Sequence, residues 1–356
     1  MDRFNCRSPY IISVDGDAAQ VGTKIFLEIY AQDGHLIAVQ EIEKKMFSPT
    51  QRINYYNISP FVYDTLNTLD ANYFGCVVYV HKFWYDGTTY TQFEDLTLVS
   101  TNGYSDYLNQ NYLQITDTII LANKPTDIIY YDRSLTYPTI DVIYDCRDNP
   151  KIYYARIRNE DYHEDFPVAD SIIDFHRFNM TSATADFNNE NYFEIFSLDG
   201  EDFELYYQVK LVNLCEPKYN PIKLDFINRL GGKQSMYFFK NSTQTIEVKG
   251  SDYNTNTFST YPTYDTNLGQ KRIYNKNGSK NIKCNSGWIS EAENINIQDI
   301  MLSENLLLTY DENGATVTKA VTLKTSSQLF KTHLNEKVIN YELEFEVASQ
   351  LINNVV

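Results

Sequence analysis

Residues 73–85, with the sequence YFGCVVYVHKFWY, are the stretch that predicts the fold class most clearly. β-branched and aromatic residues fill most positions, and such side chains favour the half-buried pleated surface of a β-sheet. A second run, TKIFLEIYA at residues 23–31, places Ile25, Leu27 and Ile29 on one face by alternation. Both runs are therefore predicted to be β-strands.

Asp-Gly pairs fall between these runs and predict hairpin turns. They stand at residues 15–16, 33–34 and 86–87, and both residue types tolerate the positive φ that a tight hairpin needs. Asp17 would also allow the first pair to open a calcium loop, but the rest of the EF-hand pattern is absent. A hairpin is the favoured interpretation, and strands at this spacing predict a small β-sandwich.

The middle of the chain is predicted to contain further strands separated by long loops. The strands are expected at residues 139–144 (TIDVIY), 151–158 (KIYYARIR) and 203–214 (FELYYQVKLVNL). The polar tracts 180–190 and 250–269 lack periodicity and are predicted to be loops.

The last part of the chain combines one helix signal with one strong strand signal. Residues 290–303 predict a short helix, with Ser290 and Glu293 in the spacing of a capping box. Its apolar face is expected to contain Ile297, Ile300 and Met301. A half-buried strand is predicted near the end because core residues alternate there with three glutamates: Tyr341, Leu343, Phe345, Val347 against Glu342, Glu344, Glu346.

These signals predict a mainly β, multi-domain protein. The expected domains are an N-terminal β-sandwich at 1–104, a central β-rich region with long loops at 105–215 and a C-terminal β domain at 216–356. The C-terminal domain is expected to be antiparallel, with a short helix near 290–303. One or two short helices are expected in total.

Composition supports a folded, β-rich chain and argues against some partners. Aromatic residues make up 15% of the 356 positions, with 30 Tyr and 20 Phe but only 2 Trp, and disordered chains lack such apolar mass. The formal net charge of −17 argues against binding to a nucleic-acid backbone. No run approaches 18 apolar residues and no secretory signal is visible at the N-terminus. Synthesis in a reducing cytoplasm is expected.

Cysteine usage predicts neither a disulfide framework nor a zinc site. The five cysteines are scattered, and no CxxC pair occurs; they are Cys6, Cys76, Cys146, Cys215 and Cys284. No metal and no other cofactor is expected.

Acidic clusters are the densest candidates for chemistry. Carboxylates and imidazoles gather between residues 160 and 176: Glu160, Asp161, His163, Glu164, Asp165 and His176. A solvated acidic loop is the favoured interpretation, because the spacing of these residues does not indicate the defined geometry that a metal site needs. Asp141, Asp145 and Asp148 around Cys146 fit outward positions of a strand better than a carboxylate site.

No catalytic motif is found, so no catalytic residue is expected. GxSxG, Walker, HExxH and GxGxxG patterns are absent. A glycosidase remains as an alternative, since its two carboxylates can be far apart in sequence. Non-enzymatic function is the favoured interpretation.

The aromatic surplus suggests protein interfaces or sugar stacking. Trp84 and Trp288 are the candidate interface residues, since Trp and Tyr are enriched where proteins meet. Packing in cores and in cross-strand pairs is the favoured role for any single ring. Trp288 is expected at a core or at a subunit contact.

Residues 215–240, CEPKYNPIKLDFINRLGGKQSMYFFK, pair two aromatic strands around a tight reversal. Gly231 and Gly232 are predicted to make the reversal, and Arg229 to anchor the turn's carbonyls or reach a neighbouring subunit. The inner face is expected to contain Leu224, Phe226, Met236 and Phe238. This segment resembles virion proteins of Bacteroidetes-infecting phages, including the crAss-like group. Residues 286–310 (SGWISEAENINIQDIMLSENLLLTY) and 337–354 (KVINYELEFEVASQLINN) are also similar to that family.

The resemblance implies a tail or neck ring protein on the portal axis of a virion. Such a protein forms a homo-oligomeric ring, twelvefold like the portal, and contacts the portal or other rings above and below. Viral DNA would meet it only in transit through the lumen, and an acidic lumen would repel that DNA. The alternative function is a carbohydrate- or receptor-binding β-sandwich adhesin of a phage tail or a bacterium.

Overall fold

A computed structural model describes most of the chain. The described residues are 2–16, 19–46, 52–69, 73–105, 113–114, 118–120, 128–130, 139–145, 152–158, 163–166, 173–179, 191–199, 202–213, 219–255, 267, 269–330 and 338–352. They are mainly β and divide into two compact units. The first unit comprises Met1–Cys215, Phe226–Met236 and Ile295–Ser303; the second comprises Glu216–Asp225, Tyr237–Asn294 and Glu304–Val356.

The first unit contains sixteen described strands that begin within Met1–Cys215, and one helix. They are β1 (Asp2–Asn5), β2 (Ile11–Asp15), β3 (Gly22–Ala31), β4 (Leu36–Lys45), β5 (Ile53–Asn57), α1 (Ser59–Asn67), β6 (Gly75–Tyr85), β7 (Tyr90–Thr101), β8 (Leu113–Gln114), β9 (Thr118–Ile120), β10 (Ile128–Tyr130), β11 (Thr139–Asp145), β12 (Ile152–Arg158), β13 (His163–Phe166), β14 (Ile173–Asn179), β15 (Asn191–Asp199) and β16 (Asp202–Asn213).

A six-stranded sheet, in the order β4-β3-β6-β7-β1-β8, forms the N-terminal part of this unit. Ile25, Leu27 and Ile29 are fully buried on one face, as predicted. They pack against the two-stranded β2–β5 sheet and α1 in one apolar core. Helix α1 begins with a proline in its first turn, a position that needs no backbone N–H. The predicted sandwich character is therefore confirmed, with the two-stranded β2–β5 sheet and a helix packed on one face of the six-stranded sheet.

The opposite face of the same sheet contributes to a second, smaller core. Val77 and Val99 pack there with Phe74, Ile143 and Phe175. Residues 77 and 78 of β6 therefore point into different cores, because successive side chains of a strand alternate between faces. This explains why the YFGCVVYV run is apolar at consecutive positions.

Two of the three Asp-Gly turns form as predicted, and one does not. Gly34 and Gly87 have φ of 84° and 104°. Gly34 lies in the turn of the β3–β4 hairpin, and Gly87 lies in the turn of the β6–β7 hairpin. The hairpin predicted at Asp15-Gly16 is wrong, because β2 pairs with β5 while β3 belongs to the six-stranded sheet. Asp17 lies outside the described residues.

The central region contains the predicted strands in two sheets, β14-β11-β9 and β10-β16-β15-β12-β13. The acidic loop prediction is wrong over His163–Phe166, which form β13 and pair antiparallel with β12. Glu160, Asp161, Cys146, Asp148 and the predicted loop 180–190 lie outside the described residues.

The remaining strands and the second helix follow residue 216 in the chain. They are β17 (Ile222–Ile227), β18 (Lys233–Phe238), β19 (Thr243–Asn254), β20 (Lys271–Asn285), β21 (Ile289–Ser290), α2 (Asn294–Leu302), β22 (Leu306–Glu312), β23 (Ala315–Leu323), β24 (Val338–Ile339) and β25 (Glu342–Val347). Seven of them form a sheet in the order β18-β17-β22-β23-β25-β20-β19. Leu343 and Phe345 are fully buried in β25, which confirms the predicted alternation. The predicted inner-face residues are buried too: Leu224, Phe226, Met236 and Phe238.

Two details of this region differ from the predictions. Helix α2 follows a 3-10 turn at Glu291–Glu293, and the Ser290 side chain makes no capping hydrogen bond, so the predicted capping box does not form. The loop predicted at 250–269 is wrong over 250–254, because β19 extends to Asn254 and pairs with β20.

The described cysteines are expected to resist modification in the native state. Cys6, Cys76 and Cys284 are buried thiols, and burial raises the pKa of Cys284 to about 12. Because the thiolate is the reactive form, iodoacetamide at neutral pH should label these three far more slowly in native than in urea-unfolded protein. Peptide mapping by mass spectrometry measures this, and equally fast labelling at Cys284 would contradict the buried site.

Candidate functional site: the buried joint at Asn228–Gly232

The predicted reversal at Gly231-Gly232 is a tight turn held by its own first residue. Asn228 is fully buried, and its side-chain oxygen accepts hydrogen bonds from the backbone N–H groups of Leu230 (3.0 Å) and Gly232 (3.1 Å). The backbone closes the turn as well, because Gly231 N–H donates to the Asn228 carbonyl at 2.9 Å. Gly231 has a φ of +89°, which glycine adopts without steric cost.

The turn lies directly against the end of β7. A Cβ on Gly231 would stand 2.7 Å from the Thr101 Cβ and 2.8 Å from the backbone nitrogen of Gly103. A Cβ on Gly103 would in turn stand 2.4 Å from the Arg229 carbonyl oxygen. That carbonyl accepts a hydrogen bond from the Tyr104 N–H at 2.9 Å. Two glycines therefore allow two backbones to touch.

Arg3 of β1 fastens the same turn from within the core. Its guanidinium donates to the Leu230 carbonyl at 2.6 Å and to the Thr101 hydroxyl at 3.1 Å, and only 1% of the residue is exposed. Burial lowers the pKa of Arg3 to about 10, because desolvation penalises the charged form. A buried cation bound by neutral oxygens is costly, so its geometry is strongly constrained.

Asp299 of α2 accepts hydrogen bonds from Arg229 of the same turn. Its carboxylate is fully buried and accepts from the Arg229 Nε at 3.0 Å, the Arg229 backbone N–H at 3.1 Å and the Tyr104 hydroxyl at 2.8 Å. Burial, followed by the charge of Asp299, raises the pKa of Tyr104 well above its usual range. The hydroxyl therefore stays protonated and keeps donating.

Asp141 of β11 binds the residue that follows the turn. It is fully buried, accepts two hydrogen bonds from the Arg177 guanidinium (2.6 and 2.9 Å) and accepts a third from the Lys233 backbone N–H at 2.7 Å. Bidentate pairing of this kind fixes orientation as well as charge. We call the whole arrangement the buried joint; its members are Arg3, Thr101, Gly103, Tyr104, Asp141, Arg177, Asn228–Lys233 and Asp299.

The buried joint is organised for holding segments together. Each of its two carboxylates accepts hydrogen bonds from one arginine side chain and at least one backbone N–H. The joined segments are up to 227 positions apart in sequence. The hydrogen bonds of the buried joint fix six chain segments in one relative position.

The five residues predicted as structural or interface positions fall in three places. Arg229, Gly231 and Gly232 meet in the buried joint. The Arg229 guanidinium anchors the turn by binding the Asp299 carboxylate, not the turn's carbonyls as predicted, and the Leu230 carbonyl accepts from Arg3 instead. Trp84 stacks on Phe93 with ring centroids 4.0 Å apart.

Trp288 lies at the surface and not in a core of this chain. It is 63% exposed, so its predicted placement in a core of this chain is wrong, whereas the alternative of a subunit contact stays a prediction. Exposure of this size leaves most of the Trp288 side chain accessible to solvent or to a partner.

Sequence reasoning missed Arg3, Asp141 and Asp299 as members of the buried joint. Arg3 carries no local signal, because its partners are distant in the chain. The prediction that Asp141 faces outward from its strand is wrong, because Asp141 is fully buried and binds Arg177 and the Lys233 N–H. A hint existed for Asp299, which stands between Ile297 and Ile300 on the buried side of α2. An acidic residue inside an apolar helical stripe implies a buried cation nearby.

The described residues contain no group of three or more His, Cys, Asp or Glu placed to hold a metal ion. Within the same part of the chain, no helix is long and apolar enough to cross a membrane. No protein-family model matches the sequence, and no curated protein matches it significantly.

Proposed function

We propose that this chain is a non-enzymatic structural protein that forms a homo-oligomeric ring in the tail or neck of a phage virion. Its partners would be further copies of itself and the portal or tail rings next to it. Viral DNA would pass through the lumen during head-to-tail transfer and genome ejection. The chain would be synthesised in the host cytoplasm and reside in the virion.

The observation that carries this proposal is a long strand left uncovered on both faces. Every residue of β19 is exposed over twelve positions. Large apolar side chains stand on it and on its partner β20, among them Ile246 and Ile273 at 65% and 64% exposure. Scattered apolar residues are normal on a surface, but a contiguous group marks an interaction site.

Two further features support an assembly role. The chain is rich in tyrosine, which is enriched where proteins meet. The segment with the strongest resemblance to phage virion proteins, 215–240, contains the turn of the buried joint, where its polar groups are used to hold chain segments together. A ring subunit needs such fixed geometry, because small errors in subunit shape accumulate around a closed ring.

The proposal predicts a closed oligomer of the purified protein. Native mass spectrometry should give an integer multiple of the 41.4 kDa chain, twelve in the expected case. Negative-stain images should show rings of one diameter, since head-to-tail contacts that close have a fixed subunit number. A monomer at every concentration tested would reject the ring.

A second candidate function rests on the outer face of the six-stranded sheet. Tyr79 and Tyr90 are each more than a third exposed, Tyr30 packs edge-on against Tyr79, and Tyr85 stacks on Tyr90 at 4.5 Å. Aromatic rows on a flat sheet suit stacking against sugar rings. Selective binding on a glycan array that is lost in Tyr79→Ala, together with a monomeric mass, would favour a carbohydrate-binding adhesin over the ring.

A further inference from the structure

The antiparallel pair β19–β20 forms a hairpin that we call the arm, defined as residues 243–254 and 271–283. Its register runs from Thr243 opposite Lys283 to Asn254 opposite Lys271, with an irregularity between Lys249 and Ser251. Strand β19 is the last strand of the seven-stranded sheet. Its outer edge therefore presents backbone groups without a strand partner among the described residues.

The apolar side of the arm continues the core of its own sheet into solvent. Ile282 of β20 is fully buried opposite Phe345, whereas Ile246 and Val248 share its face on the neighbouring strand and are 65% and 52% exposed. Leu351, which approaches Gly278 on the same side, is 52% exposed. A stripe that is buried at one strand and open at the next is shaped to be covered by another surface.

Beyond the irregularity, the exposed side chains of the arm include two tyrosines. Tyr253 and Tyr274 pack edge-on with ring centroids 5.6 Å apart, and both remain about half exposed. Ile273 is exposed to 64% on the opposite face. A two-stranded hairpin with both faces in water is only marginally stable, so these groups gain most from contact with a second surface.

The arm is basic although the chain is strongly acidic. Its two paired strands contain six Lys and Arg against two Asp and Glu, while the rest of the chain contains 24 against 45. Residues 266–290 contain five Lys and Arg and no Asp or Glu. Among the described residues, Arg272 and Lys276 are exposed and form no ion pair, whereas Lys280 and Lys283 are paired with Glu312 and Glu342.

We propose that the arm docks on the acidic surface of a second copy of this chain and is the main contact between neighbouring subunits. Charge complementarity favours a second copy as the partner. The arm has a net positive charge, whereas the rest of each copy has a large net negative charge. The apolar stripe supplies the buried area and the unpaired edge of β19 supplies backbone donors and acceptors. The arm contact adds detail to the proposed ring. It depends on that proposed function only for the closure of the assembly into a ring.

The decisive experiment asks whether the arm touches another copy. Isotopically heavy and ordinary protein are mixed, allowed to exchange and treated with a carbodiimide, which joins a lysine amine to a carboxylate within contact distance. Mass spectrometry should find Lys276 joined to Asp or Glu peptides of the other isotope. Mixed-isotope crosslinks that avoid Lys249, Lys271 and Lys276 would overturn the proposal.

Matched variants test the energetics. Arg272→Glu with Lys276→Glu should weaken self-association about tenfold or more, since like charges then face each other. The control pair, Lys45→Glu with Lys240→Glu, makes the same change of charge at exposed positions outside the arm. Ile246→Thr with Ile273→Thr should also weaken association, against a control of Leu36→Thr with Val39→Thr on the exposed strand β4. Equal effects in arm and control variants would reject the assignment.

The outcomes separate this proposal from the ring. Rings without an arm crosslink overturn the arm contact and leave the ring intact, whereas an arm crosslink in an open or dimeric assembly supports the arm contact and rejects the ring. Monomers without crosslinks overturn both. A shift of duplex DNA that is lost in Arg272→Glu with Lys276→Glu, at unchanged native mass, would assign the arm to nucleic acid and overturn the proposal.

Discussion

Replacing Gly231 by alanine is expected to destabilise the first unit by about 3 kcal/mol. Part of the loss is conformational, because a φ of +89° costs a non-glycine residue about 1–2 kcal/mol. The rest is steric, since the new Cβ would lie 2.7 Å from the Thr101 Cβ and 2.8 Å from the Gly103 nitrogen. Overpacking of this kind typically costs about 1–3 kcal/mol.

Gly34→Ala is the matched control. Gly34 has nearly the same φ, +84°, in the same unit, but a Cβ there would meet no atom within 4 Å. Its substitution should therefore cost only the conformational part, about 1–2 kcal/mol. Urea unfolding followed by the fluorescence of Trp84, in a Trp288→Phe background, reports on the first unit alone. Equal losses for the two variants would show that the turn does not press on Thr101 and Gly103.

Local alternation was sufficient to predict much of the fold. Ile25, Leu27 and Ile29, like Leu343 and Phe345, are buried as the period of two requires. Such patterns are read over a few residues, and the physics that they reflect is equally local. The strands and their inward faces could therefore be predicted before any partner was known.

The buried joint could not be predicted in that way. Asp299 meets Arg229 across 70 positions and Arg3 meets Leu230 across 227, so no local pattern connects them. Lys223 and Asp225 show the same limit in the second unit. Their charges suggest solvent, yet both are buried in β17 and pair with each other at 3.0 Å. Burial of charge depends on a partner, which a period of two does not describe.

The arm was missed for the opposite reason. Residues 250–254, GSDYN, have the composition of a loop, and alternation is lost because both faces of β19 are exposed. Backbone pairing with β20 creates the strand, and pairing leaves no hydrophobic period when neither face meets a core. Exposed strands of this kind are expected wherever the covering surface belongs to another chain.

Asp299→Ala is expected to cost the first unit about 3–5 kcal/mol. It removes a fully buried carboxylate and leaves the Arg229 guanidinium, three-quarters buried, without its counter-charge, and breaking one side of a buried pair carries a penalty of that size. The Tyr104 hydroxyl and the Arg229 backbone N–H lose their acceptor as well.

Two comparisons decide whether that loss comes from the buried joint. Asp95→Ala removes a carboxylate of the same unit that pairs with His81 at 2.7 Å but is 60% exposed, so it should cost less than about 1 kcal/mol. A double-mutant cycle with Arg229→Ala should give a coupling energy of about 2 kcal/mol, because the two residues lose one shared interaction. Additive losses would mean that Asp299 stabilises the unit through Tyr104 and the backbone rather than through the ion pair, and would remove Arg229 as the anchor of the turn.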